Sequence, residues 1–373
     1  YYDPVPTAMM PNDDLDLQVL WACKLDKEWN GVVSRELFAK AWPECIDFPF
    51  DEYGLAIRNI KRGIPAPLCG MYDNWFVDGL GAAIRSELWA CLAPGNPELA
   101  AKFAYEDACV DHAGNGVYAE QFLAALESQA FVESDLRKLI ETGLACIPAE
   151  STLARAIRDT IGWCENGTPE TVRAEIMKHY GSANFTDVKM NLPFMVMALL
   201  LGNGDFGKTI CLAVNCGQDA DCTGATVGAI FGLINPELVS GEWLRPIGRT
   251  LVVSKEVTGI QAPATLDEFT DLVVALKDKV TLKQTPVLPF DLKPFAIRAK
   301  RSVFRPWFAE DYRKFKPVPA ADAKEILLPG NLTTVDFTTL PGESLLMLET
   351  EFRLAADRTV RLLVNTPANM LVW

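Results

Sequence analysis

Asn215-Cys-Gly-Gln-Asp219-Ala-Asp221-Cys-Thr-Gly224-Ala-Thr-Val-Gly228-Ala-Ile-Phe-Gly232 sets two carboxylates one residue apart at the head of a helix of small residues. A D-x-D pair gathers hard oxygen donors at one point, as a divalent cation such as magnesium requires. The glycines at 224, 228 and 232 recur every four residues and share one helical face, where a neighbouring helix can approach closely. The carboxylates then sit at a helix N-terminus, a location that suits negative charge with or without a metal.

A second acidic cluster, Pro11-Asn12-Asp13-Asp14-Leu15-Asp16-Leu17-Gln18, leads into another amphipathic helix carrying Leu17, Leu20, Trp21 and Leu25. Acidic groups far apart in sequence can converge on one site only if something cationic offsets their repulsion. A metal centre does this. Taken singly, each cluster also reads as an ordinary acidic first turn, favoured by capping and the helix dipole.

Helical signals dominate up to about residue 280. Asn96-Pro97-Glu98 and Thr168-Pro169-Glu170 each place a capping side chain before a proline at the first helical position. Thr265-Leu-Asp-Glu268 is a capping box ahead of Phe269, Leu272, Val273 and Leu276, so a last helix should run to about Val280. The apolar run Leu192–Leu201 is too short to span a bilayer, which takes about 18 residues or more. Beyond Val280, prolines at 286, 289, 294, 306, 317 and 319 suit an extended linker. Short β-rich runs follow at Glu325–Leu328, Ser344–Phe352, Thr359–Val364 and Asn369–Trp373, separated by turn residues. The expected organisation is a mainly α protein: a helical domain over 1–280, a Pro-rich linker over 281–320 and a partial antiparallel β accessory domain over 321–373.

Together the two acidic motifs resemble those of the ADP-ribosylglycohydrolases, which pair an early T-D-D-T with a late G-G-D-T-D-T-x-G-A. Asn12-Asp13-Asp14-Leu15 is similar to the first, and Cys216-Gly217-Gln218-Asp219-Ala220-Asp221-Cys222-Thr223-Gly224-Ala225 to the second. Asn191 and the stretch Leu201–Asn215 add family-like text, and the resemblance covers roughly residues 12 to 280. It implies an orthogonal all-α bundle and a pair of magnesium or manganese ions held by Asn12, Asp13, Asp14, Asp219, Asp221 and Cys222. The implied reaction is hydrolysis of a glycosidic bond in a small-molecule or ADP-ribosylated substrate. Two departures stand out. Asn12 replaces a threonine but keeps an oxygen donor, whereas Cys222 replaces a threonine with a thiol, a poor magnesium ligand. The family's first helix has no counterpart before Asn12, so the chain reads as lacking that segment.

Two loops between the acidic clusters are candidate substrate contacts. Asp78-Gly79-Leu-Gly81-Ala-Ala-Ile-Arg85 resembles a family loop whose small residues let a ribose or phosphate near the backbone. Asp78 joins Asp13 and Asp14 as a candidate catalytic carboxylate, with a helix cap as its alternative role. His112-Ala-Gly114-Asn115-Gly116-Val-Tyr118 resembles a second family loop and reads as a substrate contact, against the alternative of a structural histidine. Trp75-Phe76 reads either as an aromatic wall for a ring or as core. His179 is accounted for by a helix C-terminus.

Composition narrows the function class. A net charge of −14 argues against a nucleic-acid backbone as partner. The ten cysteines form no C-x-x-C pair, and several, such as Cys23, Cys91, Cys146 and Cys211, lie in apolar helical text. They read as buried free thiols of a reducing, cytoplasmic compartment, with no membrane segment. Hydrolysis of another glycoside or nucleoside, and sugar or nucleotide binding without turnover, are the competing readings.

Overall fold

The computed structural model describes residues 9–48, 50–283, 297–303, 324–328 and 344–349. Its helices are α1 (Asp13–Lys27), α2 (Arg35–Cys45), α3 (Asp51–Lys61), α4 (Leu68–Met71), α5 (Ser86–Leu92), α6 (Pro97–Ala108), α7 (Asn115–Ala130) and α8 (Leu136–Ala145). There follow α9 (Thr152–Cys164), α10 (Pro169–Tyr180), α11 (Val188–Leu201), α12 (Phe206–Asn215), α13 (Ala220–Ile234), α14 (Gly241–Leu244) and α15 (Leu266–Lys277). The mainly helical architecture expected from periodicity and caps is present.

Side-chain caps decide where several of these helices begin. Asn12 Oδ1 accepts from Asp14 N at 2.8 Å and starts α1. Asn96 caps α6 ahead of Pro97, and Thr168 and Thr171 form a reciprocal box at α10. At α15, Thr265 Oγ1 accepts from Glu268 N at 3.1 Å, while Glu268 reaches back to Ala264 N at 2.8 Å. Each such cap contributes about 1 kcal/mol by giving an orphan N–H an acceptor. The last helix ends at Lys277 rather than Val280, because Thr281 leaves to pair with the start of the chain.

The core lies where α7, α9, α11 and α13 meet, around Phe122, Leu123, Ile157, Leu192, Met195, Val227 and Phe231. Helix α11 carries the longest apolar run and is buried on nearly every side, by α9, α10, α12 and α13. That environment explains its sequence. Among the described residues no helix is long and apolar enough to cross a membrane. A second apolar centre is aromatic: Trp21 meets Phe38 at 5.1 Å, Trp29 at 5.8 Å and Trp42 at 5.9 Å. The glycine stripe of α13 is used at one end only. A Cβ on Gly224 would sit 2.9 Å from Val214 and one on Gly228 3.5 Å from Ile210, both on α12, whereas Gly232 faces open space.

Strands β1 (Val32–Val33) and β2 (Thr281–Leu282) pair in parallel and tie the end of the helical unit to its beginning. This unit spans Tyr1–Val287, and a second unit spans Leu288–Trp373. Within the second, β3 (Ile297–Val303) pairs antiparallel with both β4 (Lys324–Leu328) and β5 (Ser344–Glu349), placing Ala299 opposite Ile326 and Leu348. Strand β3 falls inside the stretch expected as linker. Among the described residues this unit has three strands, which do not amount to the expected partial β accessory domain, and the runs at Thr359–Val364 and Asn369–Trp373 lie outside the described residues. All ten cysteines are free thiols, but Cys211 is exposed and Cys91 and Cys146 are half-buried, which corrects their reading as core.

Arg85 is wholly buried and bonded to Asp107 at 2.9 Å and Asp111 at 3.0 Å. Arg85→Met should therefore destabilise the fold by about 3–5 kcal/mol, because it strands buried carboxylates without a counter-charge. Urea denaturation measures this, and a loss below about 1 kcal/mol would contradict it.

Candidate metal and active site

Two helix N-termini build the site. Asn12 fixes the start of α1, so Asp13 and Asp14 occupy its first turn. At α13, Gly217 and Gln218 both take left-handed backbone, with φ of 71° and 63°, and turn the chain abruptly into Asp219. Asp219 N then donates to Asn191 Oδ1 at 3.3 Å, and Asn191 holds Phe185 O at 2.8 Å and Asp187 O at 3.0 Å through its amide. Buried in α11, Asn191 thus ties the acidic turn to the loop before its own helix.

The two clusters meet. One ligand atom each from Asp14, Asp221 and Cys222 lie within 4.8 Å of one another. The Cys222 thiol faces Asp14 Oδ2 at 3.8 Å across 208 positions of sequence. Electrostatics carry the same signature. Burial pushes Asp14 up to about 8, helped by the charges of Asp13, Glu87, Asp221 and Asp219. Burial likewise raises Asp219 to about 7, with Asp221 and Asp13 adding to it. Asp13 is raised first by burial and then by Asp221, Asp16 and Glu52. These carboxylates have one another among their electrostatic neighbours, a repulsion that a bound cation would relieve.

The donor set fits a hard divalent ion except at two positions. Burial first, then Asp14 and Asp219, push the Cys222 thiol far above its ordinary value, so it remains a neutral group that magnesium does not favour. Asn12 uses its side-chain oxygen to cap α1. Asp16, in the same acidic run, is buried and turned away, accepting from Ser254 N at 3.0 Å.

Asp78 is ion-paired to Lys189, which also meets Asp187 at 3.2 Å. Burial alone would lower Lys189, but Asp78 and Asp187 outweigh it and keep the amine charged. Asn115 donates to Asp78 Oδ1 at 3.4 Å and accepts from Leu153 N at 3.1 Å, so both ends of its amide serve the fold. Asp78 O accepts from Val188 N at 2.9 Å.

The loop glycines do not line an open cleft. A Cβ on Gly79 would stand 2.9 Å from Glu52 Oε2, and one on Gly81 would collide with Glu52 Oε1 and meet the Tyr53 hydroxyl at 2.8 Å. Gly116 packs against Val77 O and the His112 ring. Tyr118 is half-buried against the core. Only Gly114, with φ of 57°, faces open space among these glycines.

His112, read from the sequence as a substrate contact, is buried as well. Its Nδ1 lies 3.0 Å from Asp111 and its Nε2 3.4 Å from Glu52, with the ring fully enclosed. Burial would lower it, but Asp111 and then Glu52 outweigh burial and push it up to about 9. Glu52 had little sequence signal and reads as one more acid in a first helical turn, whereas Asn191 belongs to the family-like text that precedes the second acidic motif.

Linkage gives a prediction. Asp14 and Asp219 are raised from 3.8 in the folded protein, so the stability they contribute is full below about pH 4 and is lost as pH rises through about 7 and 8. The melting temperature of the metal-free protein should therefore fall between pH 5 and 8.5 by several degrees (of order 5 °C). Asp219→Asn should flatten that slope, and magnesium should restore the loss at pH 8.5. Identical slopes in the wild type and the variant would place Asp219 in solvated surroundings.

Comparison with curated proteins finds no match to the chain. The ADP-ribosylglycohydrolase family model, by contrast, matches residues 2–277. That span contains both acidic helix starts and every residue of the cluster they form, so the chain belongs to the ADP-ribosylglycohydrolase family and is a glycosidic-bond hydrolase.

Proposed function

We propose that the chain hydrolyses the glycosidic bond of an ADP-ribosyl group, using divalent cations, magnesium or manganese, held by Asp13, Asp14, Asp219 and Asp221. The observation that carries this reading is the approach of Cys222 to within 3.8 Å of Asp14 across 208 positions, which brings both acidic motifs to one point. When bound, such ions supply Lewis-acid charge toward sugar hydroxyls and lower the pKa of a coordinated water. The first turns of α1 and α13 present the carboxylates, with Asp221 exposed and Asp219 anchored through Asn191. Asp78, ion-paired with Lys189, accepts a hydrogen bond from a sugar hydroxyl and orients the ring toward the acidic cluster. The second ion is the weaker one, because Cys222 offers a neutral thiol where an oxygen donor would serve.

One observation favours a smaller ribosyl or glycosyl substrate as a second reading. Glu52 and Tyr53 fill the space beside Gly79 and Gly81, so this pair of glycines offers no room for a diphosphate. A hydrolysis screen across ADP-ribosyl-arginine, ADP-ribosyl-serine, nucleosides and aryl glycosides separates the two.

Metal chelation should abolish turnover, and Asp221→Asn should lower kcat/KM by at least about a hundredfold. Cys222→Thr should tighten magnesium binding roughly three- to tenfold by calorimetry, since a hydroxyl is the harder donor. Full turnover in chelator, or unchanged magnesium affinity in Asp219→Ala, would end the metal-dependent reading.

A further inference from the structure

Arg85, Asp111, His112 and Glu52 form a buried chain of alternating charge that returns to the loop it starts from. Arg85 donates to Gly81 O at 2.8 Å and, through two nitrogens, to Asp111 at 3.0 Å each. Asp111 pairs with His112 Nδ1 at 3.0 Å, and His112 Nε2 pairs with Glu52 at 3.4 Å. The Glu52 carboxylate then lies in the space left by Gly79 and Gly81, beside Tyr53, whose hydroxyl donates to Gly81 O at 3.2 Å. All four members of the chain are at least nine-tenths buried. Residues 79–81 are therefore held from one side by Arg85 and from the other by Glu52, and Asp78 precedes them directly. On the remaining side Gly116 packs against Val77 O, so the segment after His112 closes over the segment before Asp78.

We propose that His112 is a positioning residue: by pairing with Glu52 and Asp111 together, it locks the Asp78–Arg85 segment against α3 and so sets where Asp78 stands relative to Asp13. Two carboxylates face each other across this imidazole, and without it they would repel inside a low-dielectric core. Glu52 is also among the groups whose charge Asp13 feels, so its fixed placement matters to the acidic cluster. The charge pattern requires a bridging cation of small size with two opposed donors, which a protonated imidazole supplies and an amide does not. This role rests on the reading that Asp78 and the aspartate cluster act together on a glycosidic bond.

The chain contains two histidines, so ring-nitrogen NMR of histidine-labelled protein resolves His112 from the half-exposed His179. His112 should remain doubly protonated at pH 8, and Glu52→Gln should lower its midpoint by about one unit or more. Hydrogen exchange across residues 77–85 should quicken about tenfold in His112→Gln while α9 and α10 stay unchanged. On an ADP-ribosylated peptide, His112→Gln should lower kcat about tenfold with KM and magnesium affinity within about twofold. The double variant Glu52→Gln, His112→Gln should recover part of that rate, since two amides can bond each other. A neutral His112 at pH 8 in the wild type, or unchanged exchange over 77–85 in both single variants, overturns the inference. If the wild type cleaves no ADP-ribosyl substrate, the functional reading falls, while the NMR and exchange results still decide the role of His112.

Discussion

Mutual repulsion among the carboxylates at the start of α1 and α13 is the constraint on which the site depends. Helix dipoles and capping lower the cost of one acidic turn, but they do not account for two such turns facing each other. In the folded chain the cost appears as Asp14 and Asp219 raised to about 8 and about 7, chiefly by burial and then by each other's neighbours. The rest of the helical unit supplies the enclosure that makes this possible. Helix α11 packs among α7, α8, α9, α10, α12 and α13 and carries Asn191, a buried amide that reaches Asp219. Removing the apolar packing around α11 would free the acidic turn and let its carboxylates hydrate apart.

A second electrostatic system is of the opposite kind, with charges that alternate and pair. Arg85 takes Asp107 and Asp111, and His112 takes Asp111 and Glu52, all out of contact with solvent. Such a chain is expensive to break because any deletion leaves an unpaired charge in the core. It also consumes residues that would otherwise look like substrate contacts. The glycines at 79 and 81 are small so that a carboxylate of the protein itself can lie against the backbone.

Much of the architecture was legible in local chemistry. The caps at Asn96, Thr168 and Thr265 are short-range hydrogen bonds between neighbours in sequence, so the residues alone specify them. The acidic motifs were legible for the same reason: each is a run of donors within one helical turn. The use of Gly232 was not, because which residue of a turn faces the neighbour depends on how the helices pack: Gly224 and Gly228 face α12, whereas at the far end Phe231 rather than Gly232 meets Phe206. The exposure of Cys211 has the same origin. An apolar stretch does not state which of its faces points outward.

The sequence by itself determined that there would be two acidic helix starts, a helical body and a family identity, since all three reside in contiguous residues and their order. Tertiary structure alone decided that the starts meet, that Asp16 turns aside to Ser254, and that His112 is enclosed between Asp111 and Glu52. The physical reason is burial. Whether a titratable side chain is a ligand, a cap or an internal counter-charge depends on which groups surround it, and His112 and Glu52 are brought together by packing across 60 positions that no local pattern encodes.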